Sequence, residues 1–157
     1  MRWNLANLHD TTREHMHANL IFGPLLAQML LTIGMFGLLA ARKAKAVRLK
    51  TVDLKQAALH HSAWPDEVVK VSNNIANQFE TPILFYIVCL ALSQLNAVSG
   101  TVLVLAWLYV ATRFLHGFVH VQSNRVPIRL RAFTAGLLIL FVLMLVIFWN
   151  LVHTNAM

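Results

Sequence analysis

The chain has 157 residues, of which 58% are hydrophobic and only 12% charged. A soluble domain of this length carries about twice that charged fraction, so the composition excludes an ordinary water-soluble globule and requires lipid or a large partner to cover the apolar surplus. The net charge of +7 does not mark a nucleic-acid binder, because the basic residues flank apolar runs instead of alternating with aromatics on one face. One cysteine, Cys89, excludes an internal disulfide.

The first apolar run covers residues 20–41, long enough for a hydrocarbon core of roughly 30 Å. It is too long for the apolar segment of a signal peptide and is followed directly by Arg42-Lys43-Ala44-Lys45, so it reads as a retained span. Gly23-Pro24 suits a bend or cap near its start, and Gly34 and Gly37 suit close packing on a neighbour. The stretch from 42 to 63 is the one long loop, with a short surface helix expected over 53–61. Trp64-Pro65-Asp66-Glu67 signals a helix start, with proline at the first helical position and acids set against the macrodipole.

The second span is predicted over 71–95, on a helix that begins near Pro65. Asn96 to Gly100 is a short turn, making the second and third spans an antiparallel hairpin. The third span covers 101–121. Asn124 to Pro127 repeats the helix-start signal, and the fourth span, the most apolar, covers 132–152. No repeat or low-complexity tract divides the chain, so residues 1–157 read as one all-α integral membrane domain with four transmembrane helices.

Charge sets the orientation. The first loop holds Arg42, Lys43, Lys45, Arg48, Lys50 and Lys55, the loop before the fourth span holds Arg125, Arg129 and Arg131, and the turn at 96–100 holds none. In the N-terminal tail, Arg2 and Arg13 are balanced by Asp10 and Glu14. By the positive-inside rule both basic loops are cytoplasmic and both termini outside, where Trp3 and Trp149 suit the outer interface. Compactness and the lack of a recognisable organellar retention tail point to a bacterial inner membrane.

Polar residues inside the hairpin form a pattern. Asn73, Asn77 and Glu80 share one face of the second span, and Arg113, His116 and His120 one face of the third, each set within about 60°. In an antiparallel hairpin the pairs 80/113, 77/116 and 73/120 share one midpoint, between Asn96 and Ala97. Three rungs at matched depths are therefore expected. Glu80 and Arg113 would sit about 14 Å from the cytoplasmic helix ends, where an unpaired charge is costly, so they are expected to form a buried pair that locks the helices, walls a site, or both. The ladder opens towards Gln122, Ser123, Arg125 and Arg129. It predicts a positive pocket on the inner-leaflet side for an anionic ligand beside a lipid-soluble molecule.

Asn77-Gln78-Phe79-Glu80-Thr81-Pro82, followed by Arg113, His116, His120 and Arg125-Val126-Pro127-Ile128-Arg129, resembles the MAPEG family, the membrane-associated proteins in eicosanoid and glutathione metabolism. The chain is similar to a divergent bacterial member. The likeness covers the second span through the start of the fourth. It implies a homotrimeric four-helix bundle with glutathione bound between subunits near the cytoplasmic side, and a thiol activated for conjugation, peroxide reduction or isomerisation. Asn77 and Glu80 match glutathione contacts of the family. His116 matches a histidine contact of the prostaglandin-synthase branch, and His120 falls where that branch has a tyrosine. Arg129 matches the arginine proposed to stabilise the thiolate and Arg113 the buried arginine of the third helix, while Arg42 is near a first-helix arginine without aligning to it.

The departures lie in the same segment. Asn73 and Ala76 stand where the glutathione-binding branches have arginines, Leu130 where a serine is expected, and Phe133 replaces a tyrosine. Two guanidinium clamps for carboxylates are thereby lost.

A thiol with a pKa of about 8.5 needs a nearby cation to ionise at neutral pH. Arg129 is the candidate catalytic cation, with Arg125 beside it; the competing reading is an interfacial arginine meeting lipid phosphate. Asn77, Glu80, Arg113, His116, His120 and Arg125 are the candidate ligand-binding residues. His116 and His120 have the i, i+4 spacing of metal ligands, with Glu80 a conceivable third, but Gly117 stands where the glutamate of His-Glu-x-x-His would be. No metal is expected, and helix packing or ligand contact are the readings for both histidines. His15, His17, His60 and His61 read as solvated. A glutathione-dependent enzyme is one functional reading and a non-enzymatic lipid- or ligand-binding trimer the other. A small transporter or channel is disfavoured because the ladder stops near mid-membrane.

The orientation is testable in right-side-out vesicles: a membrane-impermeant maleimide should modify Asn96→Cys at once and Lys55→Cys only after the vesicles are opened.

Overall fold

The computed structural model describes residues 19–154. Trp3, the charged residues of the N-terminal tail, His15 and His17 lie outside the described residues. Among the described residues six α-helices follow in order: α1 (Phe22–Arg48), α2 (Leu54–Ala57), α3 (Asp66–Gln78), α4 (Thr81–Gln94), α5 (Gly100–Val121) and α6 (Val126–Thr154), with a 3-10 turn over His61–Ala63 between α2 and α3. Four helical stretches are long and apolar enough to cross a membrane: α1, the tandem α3–α4, α5 and α6. They carry large lipid-ready faces, including Leu30, Ile33, Leu115, Phe118, Phe141 and Phe148, all exposed on the protomer. The protein is an integral membrane protein.

Helices α1 and α6 run farther than their apolar runs. The 27 residues of α1 span about 40 Å, so its basic end projects beyond the hydrocarbon. There Lys45 Nζ meets Glu67 at 3.4 Å, Arg42 Nη1 donates to the Glu67 carbonyl at 2.6 Å, and the Lys43 ammonium sits 4.7 Å from the centre of the Trp64 ring. These contacts fasten the start of α3 to the end of α1. The loop helix is shorter than the expected 53–61, starting after Asp53, whose carboxylate accepts from the Lys55 N–H at 2.9 Å.

The second span is broken. Helix α3 ends at Gln78, Phe79 and Glu80 leave helical geometry, and α4 restarts at Thr81 with Pro82 in its first turn. Proline has no N–H to give to the Gln78 carbonyl, and its ring clashes with that carbonyl in a continuous helix. At the far end of α4, Asn96 takes a left-handed φ of 51° while the Ala97 N–H caps the Leu92 carbonyl at 2.9 Å. Ser99 Oγ then accepts from the Val102 N–H at 3.3 Å to start α5. The expected hairpin is thus present, its turn where the matched pairs place their midpoint.

Apolar packing divides into two parts. The larger core joins Phe85, Val88, Cys89 and Leu92 of α4 with Val102, Ala106, Tyr109 and Val110 of α5, and Leu140 and Leu143 of α6. Phe85 and Tyr109 stack with ring centres 4.2 Å apart. A smaller cluster of Val71, Ile75 and Val121 packs on Met35, Leu38 and Leu39 of α1. Between them lies a polar band: Gln28, Asn74, Gln78, Thr81, Arg113, His116 and His120 are all buried.

Arg113 is 1% exposed. Its guanidinium reaches α6 at a point where Gly136 has no side chain; a Cβ there would stand 2.6 Å from both Arg113 Nη2 and Thr112 Oγ1. Gly136→Ala should therefore displace the arginine and destabilise the purified protein by about 1–3 kcal/mol, read as a lowered midpoint in thermal unfolding.

Candidate functional site

The polar band forms a connected set of hydrogen bonds across all four spans. Gln28 Nε2 of α1 donates to Gln78 Oε1 at 2.8 Å, and Gln78 Nε2 donates to Asn74 Oδ1 at 3.2 Å. The amides of Asn74 and Asn77 both approach His120 Nδ1 at 3.4 Å, and Asn77 Nδ2 also reaches His116 Nε2 at 3.4 Å. His116 Nδ1 lies 3.2 Å from the Arg129 carbonyl. A carbonyl only accepts, so His116 carries its hydrogen on Nδ1 and accepts at Nε2. His120 accepts at Nδ1 and carries its hydrogen on Nε2. In hydrocarbon such groups must satisfy one another, and the band does so except at Gln28 Oε1 and Arg113 Nε, which have no partner among the described residues.

The predicted depths hold at the middle rung, where Asn77 meets His116. At the inner rung His120 is met by Asn74 and Asn77, while Asn73 is exposed. At the deepest rung the expected Glu80–Arg113 ion pair is absent: the ion pair formed among the described residues is Lys45–Glu67. Arg113 Nη1 instead donates to Thr81 Oγ1 at 3.0 Å and Nη2 to the Phe133 carbonyl at 3.1 Å, with the Tyr109 hydroxyl also 3.4 Å from Thr81 Oγ1. The cationic centre lies 5.3 Å from the Tyr109 ring and 5.0 Å from the Phe133 ring. The cause is the break before Pro82. It leaves Glu80 outside both helical segments, exposed on the protomer, and turns Thr81 inward in its place.

Two cavities open beside the band. A polar groove of about 370 Å³ is lined by Asp66, Val69, Lys70, Asn73, Asn77, His120, Asn124 and Arg129. A smaller, more apolar cavity of about 170 Å³ is lined by Asn77, His116, Val126, Arg129, Leu130 and Phe133. Asn77 and Arg129 belong to both, so these two residues stand where the cavities meet. Arg129 Nη1 donates to Asn124 Oδ1, and among the described residues its buried Nε has no partner and no carboxylate pairs with it.

Of the sequence candidates, Asn77, His116, His120 and Arg129 are brought together around these cavities. Arg113 lies behind them, while Glu80 and Arg125 are exposed and line neither cavity. Sequence reasoning passed over Asp66, Lys70 and Asn124 in the groove, and Asn74, Gln78 and Gln28 in the band. Lys70 lies three residues before Asn73 on the same helix, a spacing that signals a shared face. Among the described residues no three His, Cys, Asp or Glu side chains are grouped to hold a metal ion.

A four-span membrane helix bundle with a polar, charged groove adjoining a smaller and more apolar cavity is the class that this fold and site define. The model of the MAPEG family matches residues 21–149, and the chain belongs to that family. No curated protein and no solved structure matches the chain.

Thr81→Val keeps shape while removing the acceptor shared by Arg113 and Tyr109. It should lower stability by about 1.5–3 kcal/mol, the range for a buried hydrogen bond to a charged group, read from thermal unfolding in detergent.

Proposed function

We propose that the protein is a glutathione-dependent transferase or peroxidase of the MAPEG type. It acts on lipophilic electrophiles or hydroperoxides that arrive from the inner leaflet of a bacterial inner membrane, and it works as a homotrimer. The observation that carries this reading is the place of Arg129: a guanidinium without a carboxylate partner, bordering a polar groove on one side and an apolar cavity on the other.

The residues present suit a peptide with two carboxylates and a thiol. Lys70 and Arg129 supply cations to the groove, Asp66 supplies a carboxylate that suits the peptide's ammonium group, and Asn73, Asn77 and Asn124 supply amides. The unbonded Arg129 Nε is a donor with capacity to spare. Lys70 thus provides, one turn away, part of the charge missing at Asn73 and Ala76. Glutathione supplies a thiol nucleophile and reductant when bound. Arg129 favours the ionised form of an adjacent thiol by direct electrostatic attraction. His116 holds the Arg129 main chain, Asn77 bridges the two histidines, and Leu130 and Phe133 offer apolar contact to a lipophilic second substrate.

A second reading, a non-enzymatic lipid- or ligand-binding trimer, is favoured by one observation: Leu130 and Phe133 leave the small cavity without the hydroxyl groups that the resemblance leads one to expect. Titration of the purified protein with glutathione separates the two. The enzyme reading expects binding at millimolar concentration or below, with turnover of a generic electrophile. It also expects a loss of about 10²-fold in kcat for Arg129→Leu. Absence of binding at millimolar glutathione, or full turnover in Arg129→Leu, overturns it; binding without turnover supports the second reading.

A further inference from the structure

We propose that Asn124 is the positioning residue that aims the Arg129 guanidinium into the groove. It lies in the link between α5 and α6, in the left-handed region at φ 50°, with its N–H on the Val119 carbonyl at 2.7 Å. Among residues with a side chain, asparagine and aspartate enter this region most readily. The fold places Asn124 with its carbonyl oxygen accepting from Arg129 Nη1. The Arg129 main chain is fixed separately, its N–H on the Arg125 carbonyl at 3.1 Å and its own carbonyl on His116 Nδ1. The side chain, in contrast, is held at its tip by Asn124 while Nε stays unbonded.

The alternative for a long cationic side chain near a membrane surface is to extend towards lipid phosphate. Asn124 opposes that with a neutral acceptor, so the guanidinium is held without its charge being cancelled by the group that holds it. Asp66 and Lys70 of α3 and His120 of α5 line the same groove and are unchanged in every variant below. Aspartate would hold it equally well and cancel much of the field. The aiming is a statement about this chain's own residues; its value for a thiol rests on the proposed function.

Two variants separate the backbone from the side chain. Asn124→Gly keeps the left-handed conformation and removes the acceptor, while Asn124→Asp keeps both and adds a charge. The first measurement is the rate of phenylglyoxal modification of Arg129 in detergent-solubilised protein, by peptide mass spectrometry, with the exposed neighbour Arg125 as internal reference. Asn124→Gly should speed modification of Arg129 about three- to tenfold, the weight of one hydrogen bond, leave Arg125 unchanged, and be reversed in Asn124→Asp. An unchanged Arg129 rate overturns the proposal, as does an acceleration shared by Arg125 or retained in Asn124→Asp.

The second measurement is the pH titration of bound glutathione by thiolate ultraviolet absorbance. Asn124→Asp should move it to higher pH, and an unmoved titration overturns the electrostatic part. If the wild-type protein takes up no glutathione, the proposed function fails, and the modification rates alone decide the role of Asn124.

Discussion

Arg113 puts a permanent charge within the membrane-spanning part of the bundle, and the helices around it are built to receive it. Thr81 and the Phe133 carbonyl accept its hydrogen bonds, two aromatic rings flank its cationic centre, and Gly136 leaves the space it occupies. Each of these depends on another feature. Thr81 faces inward because the second span breaks before Pro82, and Phe133 and Gly136 are in place because α6 packs along α5. A charge buried without solvation of this kind would cost several kcal/mol even with relaxation.

Around that charge the polar band separates two apolar clusters and opens into the groove. The chemistry comes from adjacency. One wall of the groove is amide and cation, the neighbouring cavity is mostly apolar, and Arg129 belongs to both. A hydrophilic ligand and a membrane-soluble one can approach the same guanidinium from different sides. Membership of the MAPEG family accords with this arrangement.

Much of this was legible from pattern alone. Four apolar runs gave four spans, and the constant midpoint of the hairpin placed Asn77 level with His116, where they meet. Depth is readable because helical rise is fixed. Azimuth is less so, since it depends on how each helix rolls against its neighbours: His120 is met by Asn74, while Asn73 turns to the groove. Glu80 failed as a partner of Arg113 for a separable reason. The ladder assumes an unbroken helix, and Pro82 breaks it. Gln28 escapes notice because a lone amide in the first span, with only Thr32 as polar company, sets up no ladder to announce it. Asn124 escaped because its importance lies in a backbone angle.

The link between Gln28 and Gln78 bears on biosynthesis. A glutamine amide entering the bilayer on the first helix alone meets only hydrocarbon, and its complement arrives some fifty positions later in the chain. A nascent product truncated before Gln78 would therefore hold its leading segment less securely than one that includes it. The two amides can satisfy each other only once both helices lie in the bilayer, so the second span supplies what the first one lacks.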